Sequence, residues 1–459
     1  MTGRTVLVVF LVALGVRLAY LWAVYDGTPS LLQPDSPTYL MLARDFIDTG
    51  GFNTVTGLGI EPETERMPLY VLWLAAFRAG VGPDALWPVL GQAVIDALTC
   101  VLITLIARRI DPRLALPAGL LAAFNLTMIA AAGVVLTDTL FLALLAGWML
   151  ATVECLERPS TGCAVFAGLL LGLATLTRAM MQFFPPLLAL VLLAGALRRG
   201  QRLGPSLGLA ALGLGVCLAV MAPLAARNLA SFGHLALTSQ GGTHALHWVM
   251  PAALEFAEHR PFEDGQELMR GRLEAVSPVH SANPFVESAR AMAVARAAAA
   301  QLGVVRLAKA WLAGATVNLA APSVFAVPPI QRLERPSFYA TPGDGLMAKL
   351  ANYVTSTRSS LVLALLAGSV AATLAVRLVQ LVGLFARRRE LAGAAWLFLL
   401  LVAAYVVVVT GPVTGVKYRL PLEPLLTILT AAGLVRLWPA GRRGVSAGRP
   451  ATTPPTARS

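Results

Sequence analysis

Charge is what this sequence has least of. Asp, Glu, Lys and Arg together make up 13% of 459 residues, while 57% are hydrophobic. That balance excludes the two or three soluble domains the length would otherwise suggest. A mean hydropathy of +0.71 instead describes a polytopic membrane protein. Cysteine is scarce too. The four present, Cys100, Cys155, Cys163 and Cys217, fall within or at the edge of apolar runs, so neither a disulfide framework nor a cysteine metal cluster is expected. Lysine is almost missing, with three against thirty-three arginines, a bias of a GC-rich bacterial genome that carries no mechanism. The net charge of +12 is scattered over loops rather than gathered with aromatics, which excludes a nucleic-acid partner.

What the chain does have is long apolar runs. Crossing a hydrocarbon core of about 30 Å takes roughly 20 helical residues. Runs of that kind lie near 5–24, 85–107, 114–132, 138–155, 162–177, 180–197, 204–225, 360–383, 391–410 and 421–438. The expectation is an all-α membrane protein of about ten spans, since only helices can satisfy their own backbone in lipid. The first run begins like a signal peptide, but Arg17 interrupts it and no convincing cleavage site follows, so it reads as a retained helix.

Arginine gives the orientation. With Arg4 inside, alternate loops on that side carry Arg108, Arg109 and Arg113, then Arg158, then Arg198, Arg199 and Arg202, then Arg387 to Arg389, then Arg442 and Arg443. This is the positive-inside pattern of a cytoplasmic membrane. Three segments are left outside: a first loop (about 25–83), a long loop (about 226–357) and the stretch from Gly411 to Leu420. Four regions follow: a transmembrane module with the first loop (1–225), an extracytoplasmic loop module (226–357), C-terminal spans (358–438) and a polar tail (439–459) expected to be disordered.

Within the first loop, Ser36 to Ile47 predicts a short helix opened by Asp35 or Ser36. Pro68 to Phe77 predicts a second helix, too short to cross and suited to the interface. Glycines 50, 51, 57 and 59 predict a mobile connection between them. In the long loop, Glu287 to Val317 predicts one alanine-rich surface helix, followed by a proline-rich irregular stretch from Ala320 to Pro342. There is no repeat of the halves, which weighs against repeat-built transporters.

Chemistry-bearing residues gather at the outer ends of the spans. Asp35, between two prolines, is a candidate general base, its other use being a helix cap. Arg66, after Glu65 and before Pro68, has a planar fork suited to a lipid phosphate, although arginine at a membrane edge also simply meets headgroups. Asp138 opens the fourth span, as cap or as functional carboxylate. Arg178, Arg227 and the Lys417-Tyr418-Arg419 step all lie outside, against the positive-inside bias, as a site for an anionic phosphate would require. Arg17 and Asp96 lie inside spans and are expected to pair with each other. His244 and His247 are three apart, which would suit a metal, but no third ligand accompanies them.

These pieces together resemble the C-fold membrane glycosyltransferases, the group that includes protein O-mannosyltransferases and the bacterial aminoarabinose transferase of lipid A. The likeness rests on Asp35 with Tyr39, on Glu65, Arg66 and Pro68, on Asp138, on Arg178, on Arg227-Asn228 leading into Ser239-Gln240-Gly241-Gly242, and on Tyr418-Arg419-Leu420-Pro421. It implies a polyprenyl-phosphate sugar donor and a lipid, glycan or protein acceptor. Asp35 would be the base, with inversion at the anomeric carbon, and Asp138 would orient a substrate. Tyr39, Arg66, Tyr70, Arg178, Arg227, Lys417, Tyr418 and Arg419 would line the substrate site. No cofactor is required; a divalent metal on Glu65 and His244 is a loose match. Arginine and methionine stand between Glu65 and Pro68 where the aminoarabinose enzymes carry lysine and two prolines, so the acceptor is open. Two other classes stay in view: a transporter or flippase of lipid-linked envelope precursors, and a non-catalytic partner in envelope assembly.

Overall fold

The computed structural model describes residues 3–57, 59–276, 281–331, 333–334, 336 and 341–438; the expected disordered tail lies outside them. A first helix, α1 (Gly3–Val24), leads to α2 (Ser36–Thr49), a hairpin of β1 (Asn53–Thr56) and β2 (Gly59–Pro62), and α3 (Pro68–Gly80). The bundle continues through α4 (Leu86–Ile110), α5 (Ala115–Ala123), α6 (Leu126–Ala132), α7 (Asp138–Glu157), α8 (Thr161–Thr177), α9 (Pro185–Arg198) and α10 (Leu203–Phe232). Then come α11 (Gln240–His244), α12 (Met250–Glu258), α13 (Phe262–Val276), α14 (Pro284–Leu302), α15 (Val304–Ala320), α16 (Pro328–Gln331) and α17 (Leu346–Ser356). The chain returns to apolar helices in α18 (Ser360–Ala386), α19 (Ala394–Thr410) and α20 (Glu423–Leu437).

Helices appear at all ten apolar runs, but not as ten full spans. Among the described residues six are long and apolar enough to cross, or eight if each of two bent pairs counts as one, and α8, α9 and α19 are shorter. One bent pair is the third run, where α5 and the helix turn before it meet α6 at 51°. The break has a visible cause. Asn125 turns its side chain back to cap α6, accepting from the amides of Thr127 and Met128, while the last carbonyls of α5 lose their i+4 donors, Ala122 O receiving the Asn125 amide at 3.2 Å instead. Arg17 reaches across from α1 to those carbonyls, donating to Ala122 O at 3.2 Å and to Ala123 O, and its charge is balanced by Asp96 at 2.8 Å. The two intramembrane ions therefore pair, and they also seal a broken helix.

Three other expectations are corrected. The glycine connection of the first loop forms an antiparallel hairpin, with Asn53 opposite Pro62 and Thr56 opposite Gly59. The alanine-rich segment is two helices, α14 and α15, turned by 104° at Gly303, whose φ of 81° suits glycine. And Cys155 is bridged to Cys163 across the α7–α8 turn, because a helical hairpin brings the two Cα atoms to 5.4 Å.

The core is packed by aromatic and small residues. Trp148 stacks edge-on against Phe184 and Phe398, and Phe184 against Tyr405. Where α8 crosses α10, a Cβ on Gly168 would strike the carbonyl of Gly213; Gly383 and Gly433 let α18 and α20 approach in the same way. Lipid tails are as apolar as leucine, so close backbone contact of this kind, rather than hydrophobic expulsion, holds such helices together.

Candidate active site

The first loop is fastened to the bundle before it presents anything. The Ser36 hydroxyl, fully buried, donates to Val135 O at 2.7 Å, and the Val135 amide donates to Leu31 O at 2.9 Å. Gln92, buried in α4, donates to the carbonyls of Ala132 and Val134 and accepts from the Tyr70 hydroxyl at 2.6 Å. Helices α2, α3 and α4 and the start of α7 are thus tied at one end of the bundle. Glu63 folds the next turn, accepting from the amides of Glu65 and Arg66 and from the Thr54 hydroxyl. Thr238 and Ser239 clamp the same turn from the far side, on Glu65 O and on Thr64.

Onto this frame the chain places its carboxylates and cations. Asp35 stands at the cap position of α2, yet its side chain makes no capping bond. It faces Arg66 at 3.1 Å and Lys417 at 4.0 Å, and it is 41% exposed. Arg66 also lies over the Tyr39 ring at 5.4 Å, and Tyr39 meets Tyr70 edge-on at 5.3 Å. Asp138 is the first residue of α7, after Thr137 at the cap position; almost fully buried, it pairs with Arg178, whose guanidinium lies over Phe141. Lys417 is half exposed and sits 5.5 Å from the Tyr418 ring. Burial pushes the Tyr39 phenol up, against the pull of Arg66 and Arg178, so it remains a hydrogen-bond donor at neutral pH. Arg66, Arg178, Asp35 and Asp138 all lie near enough to Tyr39 for their charges to act on it, and Tyr418 near enough to act on Arg178, so these groups gather at one end of the bundle.

Two candidates face elsewhere. Arg227 donates to the carbonyls of Phe52 and Glu63 and lies over the Phe52 ring at 5.4 Å, so it holds the hairpin to the end of α10. Arg419 is 3% exposed and wholly engaged: by Glu423 at 2.8 Å, by Ala321 O at 2.7 Å and by the hydroxyls of Thr127 and Ser323. A cation in an apolar surrounding must find acceptors, and the strand-like turn 321–323 and the broken third span supply them.

Among the described residues no three His, Cys, Asp or Glu side chains could hold an ion. His244 has Lys417 and Arg178 for neighbours, and burial followed by these two cations pushes its imidazole below the ordinary range. Cations beside a ligand repel another cation. A π-type turn over Ala245–Val249 follows His244, and the charge acting on His247 is Arg270. The residues missed by sequence reading are Gln92, Ser36 and Glu63. Only Gln92, a polar side chain inside an apolar helix, carried a signal.

Residues 66–226 match the family described as dolichyl-phosphate-mannose-protein mannosyltransferase. No curated protein matches the sequence. Among solved structures the chain is similar to the archaeal oligosaccharyltransferase AglB from Archaeoglobus fulgidus, in complex with an inhibitory peptide and a dolichol-phosphate, at 13% identity and a TM-score of 0.55 over 95% of this chain and 50% of that one. The Archaeoglobus fulgidus oligosaccharyltransferase in complex with Zn and sulfate gives 14% identity and a TM-score of 0.51, over 95% and 49%. ArnT from Cupriavidus metallidurans is matched at 17% identity and a TM-score of 0.39, over 94% and 78%. The chain spans about half the length of the oligosaccharyltransferases. What it shares with them is the fold, and the family match over residues 66–226 agrees with the resemblance to the C-fold group.

Proposed function

We propose that the chain is a membrane glycosyltransferase that moves a sugar from a polyprenyl-phosphate donor to a lipid, glycan or protein acceptor, with Asp35 as general base. The observation that carries this reading is the pairing of two carboxylates with two arginines near Tyr39, where the acid of one pair is buried and that of the other open. Asp35 keeps an oxygen 4.0 Å from Lys417 and a large exposed surface, so an acceptor hydroxyl or amine can reach it. Single displacement by that acceptor breaks the anomeric C–O bond with inversion, and polyprenyl phosphate departs as an anion that needs charge stabilisation rather than a proton. Arg66, Arg178 and Lys417 supply it. A phosphate arriving at Arg66 and Lys417 also takes up their donors, which leaves the Asp35 carboxylate oxygens open to the acceptor when the donor is in place. Asp138, fixed by Arg178, orients a sugar hydroxyl.

In this reading residues 1–225 form the catalytic module, 226–357 an extracytoplasmic module over it, and 358–438 the closing helices. The family match ends at residue 226, beside the first boundary. The arginine-poor end faces outward from a bacterial cytoplasmic membrane. A transporter would use the intramembrane pair Arg17 and Asp96, and both are already engaged in the broken helix. The test is transfer from a labelled lipid-linked sugar in membranes. Asp35→Asn should lose transfer while melting as the parent does; transfer at the parent rate removes Asp35 as base.

A further inference from the structure

At the end of the bundle away from Asp35 lies a cavity of about 430 Å³ that the proposed reaction does not use. It is lined by Arg109, Arg199, Arg389, Glu157, Glu390 and Trp396, where α4, α7, α9 and α19 meet. Helix α7 runs from Asp138 to Glu157, 20 residues, so the two sites are about 30 Å apart along it. The cavity is therefore at the opposite membrane face.

Its charges are not equally available. Arg109 is taken by Glu154 and by Glu157 at 2.8 Å, and Glu390 is taken by Arg387 at 3.0 Å. Arg199 gives only its Nε to a partner, Leu156 O at 2.9 Å, and no partner is seen for Arg389 among the described residues. The acids are thus neutralised, and two guanidinium forks stand over the cavity with donors to give. The buried indole N–H of Trp396, in the cavity wall, has no hydrogen-bond partner either. Leu197 and Leu397, close in sequence to Arg199 and Trp396, expose 41% and 43% of their surface. Guanidinium donors at a helix-bundle edge, with bare leucines next to them, suit a molecule with a phosphate at one end and acyl chains at the other.

We infer that the cavity formed by Arg109, Arg199, Arg389 and Trp396 binds a phosphate-bearing anion, the headgroup of an anionic phospholipid in the leaflet opposite the carboxylate cleft. The inference does not depend on the transfer reaction. The test uses the full chain in a neutral detergent, titrated with short-chain phosphatidylglycerol, short-chain phosphatidylcholine or inorganic phosphate. Phosphatidylglycerol should bind more tightly than phosphatidylcholine. Each arginine removed, by Arg199→Gln or Arg389→Gln, should weaken it about fivefold, as expected for a basic side chain beside an anionic headgroup. Arg306→Gln, on the exposed surface of α15, should leave the preference intact. Inorganic phosphate binding as tightly as the lipid would support the anion site and make its source soluble; failure of phosphate to bind supports the lipid. Arg389→Gln removes an exposed side chain that supports no other group, so a folded variant is expected. Equal binding of the two lipids without phosphate binding, or a Arg389→Gln protein that keeps the full preference, overturns the inference.

Discussion

Two regions of this molecule use the same chemistry, carboxylate against guanidinium, to opposite ends. At the broken third span, Arg17 with Asp96 and Arg419 with Glu423 are buried, and backbone carbonyls, with the Cys100 sulfur at Arg17 and the hydroxyls of Thr127 and Ser323 at Arg419, take the remaining guanidinium donors. At the cleft, Asp35 with Arg66 is part-exposed, with a second cation in reach. The difference is spare capacity. A buried ion pair that has satisfied every neighbour can only hold structure, and losing one partner leaves a charge stranded. A pair with open surface and a nearby cation can exchange partners, which is what a substrate requires. Asp138 with Arg178 stands between, buried at the acid and opening toward the cleft at the arginine.

The comparison breaks if the two regions respond alike. The largest effect is expected from Asp35→Asn: turnover of a lipid-linked sugar should fall about 10²–10⁴-fold, the range of a lost general base. Its thermal melting should stay with the parent, because the exposed pair with Arg66 contributes little to stability. Arg419→Ala should do the reverse. Stability to denaturant should drop by about 3–5 kcal/mol as Glu423 loses its counter-ion and keeps only the Asn125 amide, while the protein that remains folded keeps its affinity for donor. A raised KM without a loss of stability would return Arg419 to the substrate site. Lys417→Gln sharpens the distinction at the cleft: about a tenfold loss in kcat/KM, smaller at high salt, since a half-exposed cation acts on phosphate largely through screened charge.

How much of this was legible beforehand depends on what each residue's neighbours are. The helices at the apolar runs follow from hydropathy, and Arg17 with Asp96 follow from the cost of single charges in lipid. The grouping of Asp35, Tyr39, Arg66, Asp138, Arg178 and Lys417 at one end was readable from their outer placement, since membrane topology sorts residues by face before any packing is known. Packing decides the rest. Arg419 lies two residues from Lys417, and nothing in the sequence tells that one points into the bundle and the other to the cleft. The Arg-Asn step groups Arg227 with the site, whereas its partners across the fold are the carbonyls of residues 52 and 63. The break at Asn125 needed a distant arginine to be tolerable, and long-range partners of that kind leave no local pattern.

The smallest effect concerns pH, and it separates His244 from a metal ligand. Burial and then the cations Lys417 and Arg178 hold its imidazole below the ordinary value of 6.5. Above that value the imidazole is neutral in both folded and unfolded chains and contributes nothing to pH dependence. As pH falls through 6.5 the unfolded chain takes up a proton that the folded one refuses, so stability declines until the folded group protonates too. One proton limits the slope to about 1.4 kcal/mol per pH unit. Melting followed from pH 7.5 to 5.5 should therefore fall, and His244→Gln should flatten part of that fall, the remainder belonging to other groups such as His247. Added zinc should not shift melting at pH 7.5 through this residue. Were His244→Gln to abolish a zinc-dependent rise in melting while leaving the acid limb unchanged, the imidazole would be a ligand after all, and the cations beside it would have to be reassigned to whatever balances the ion.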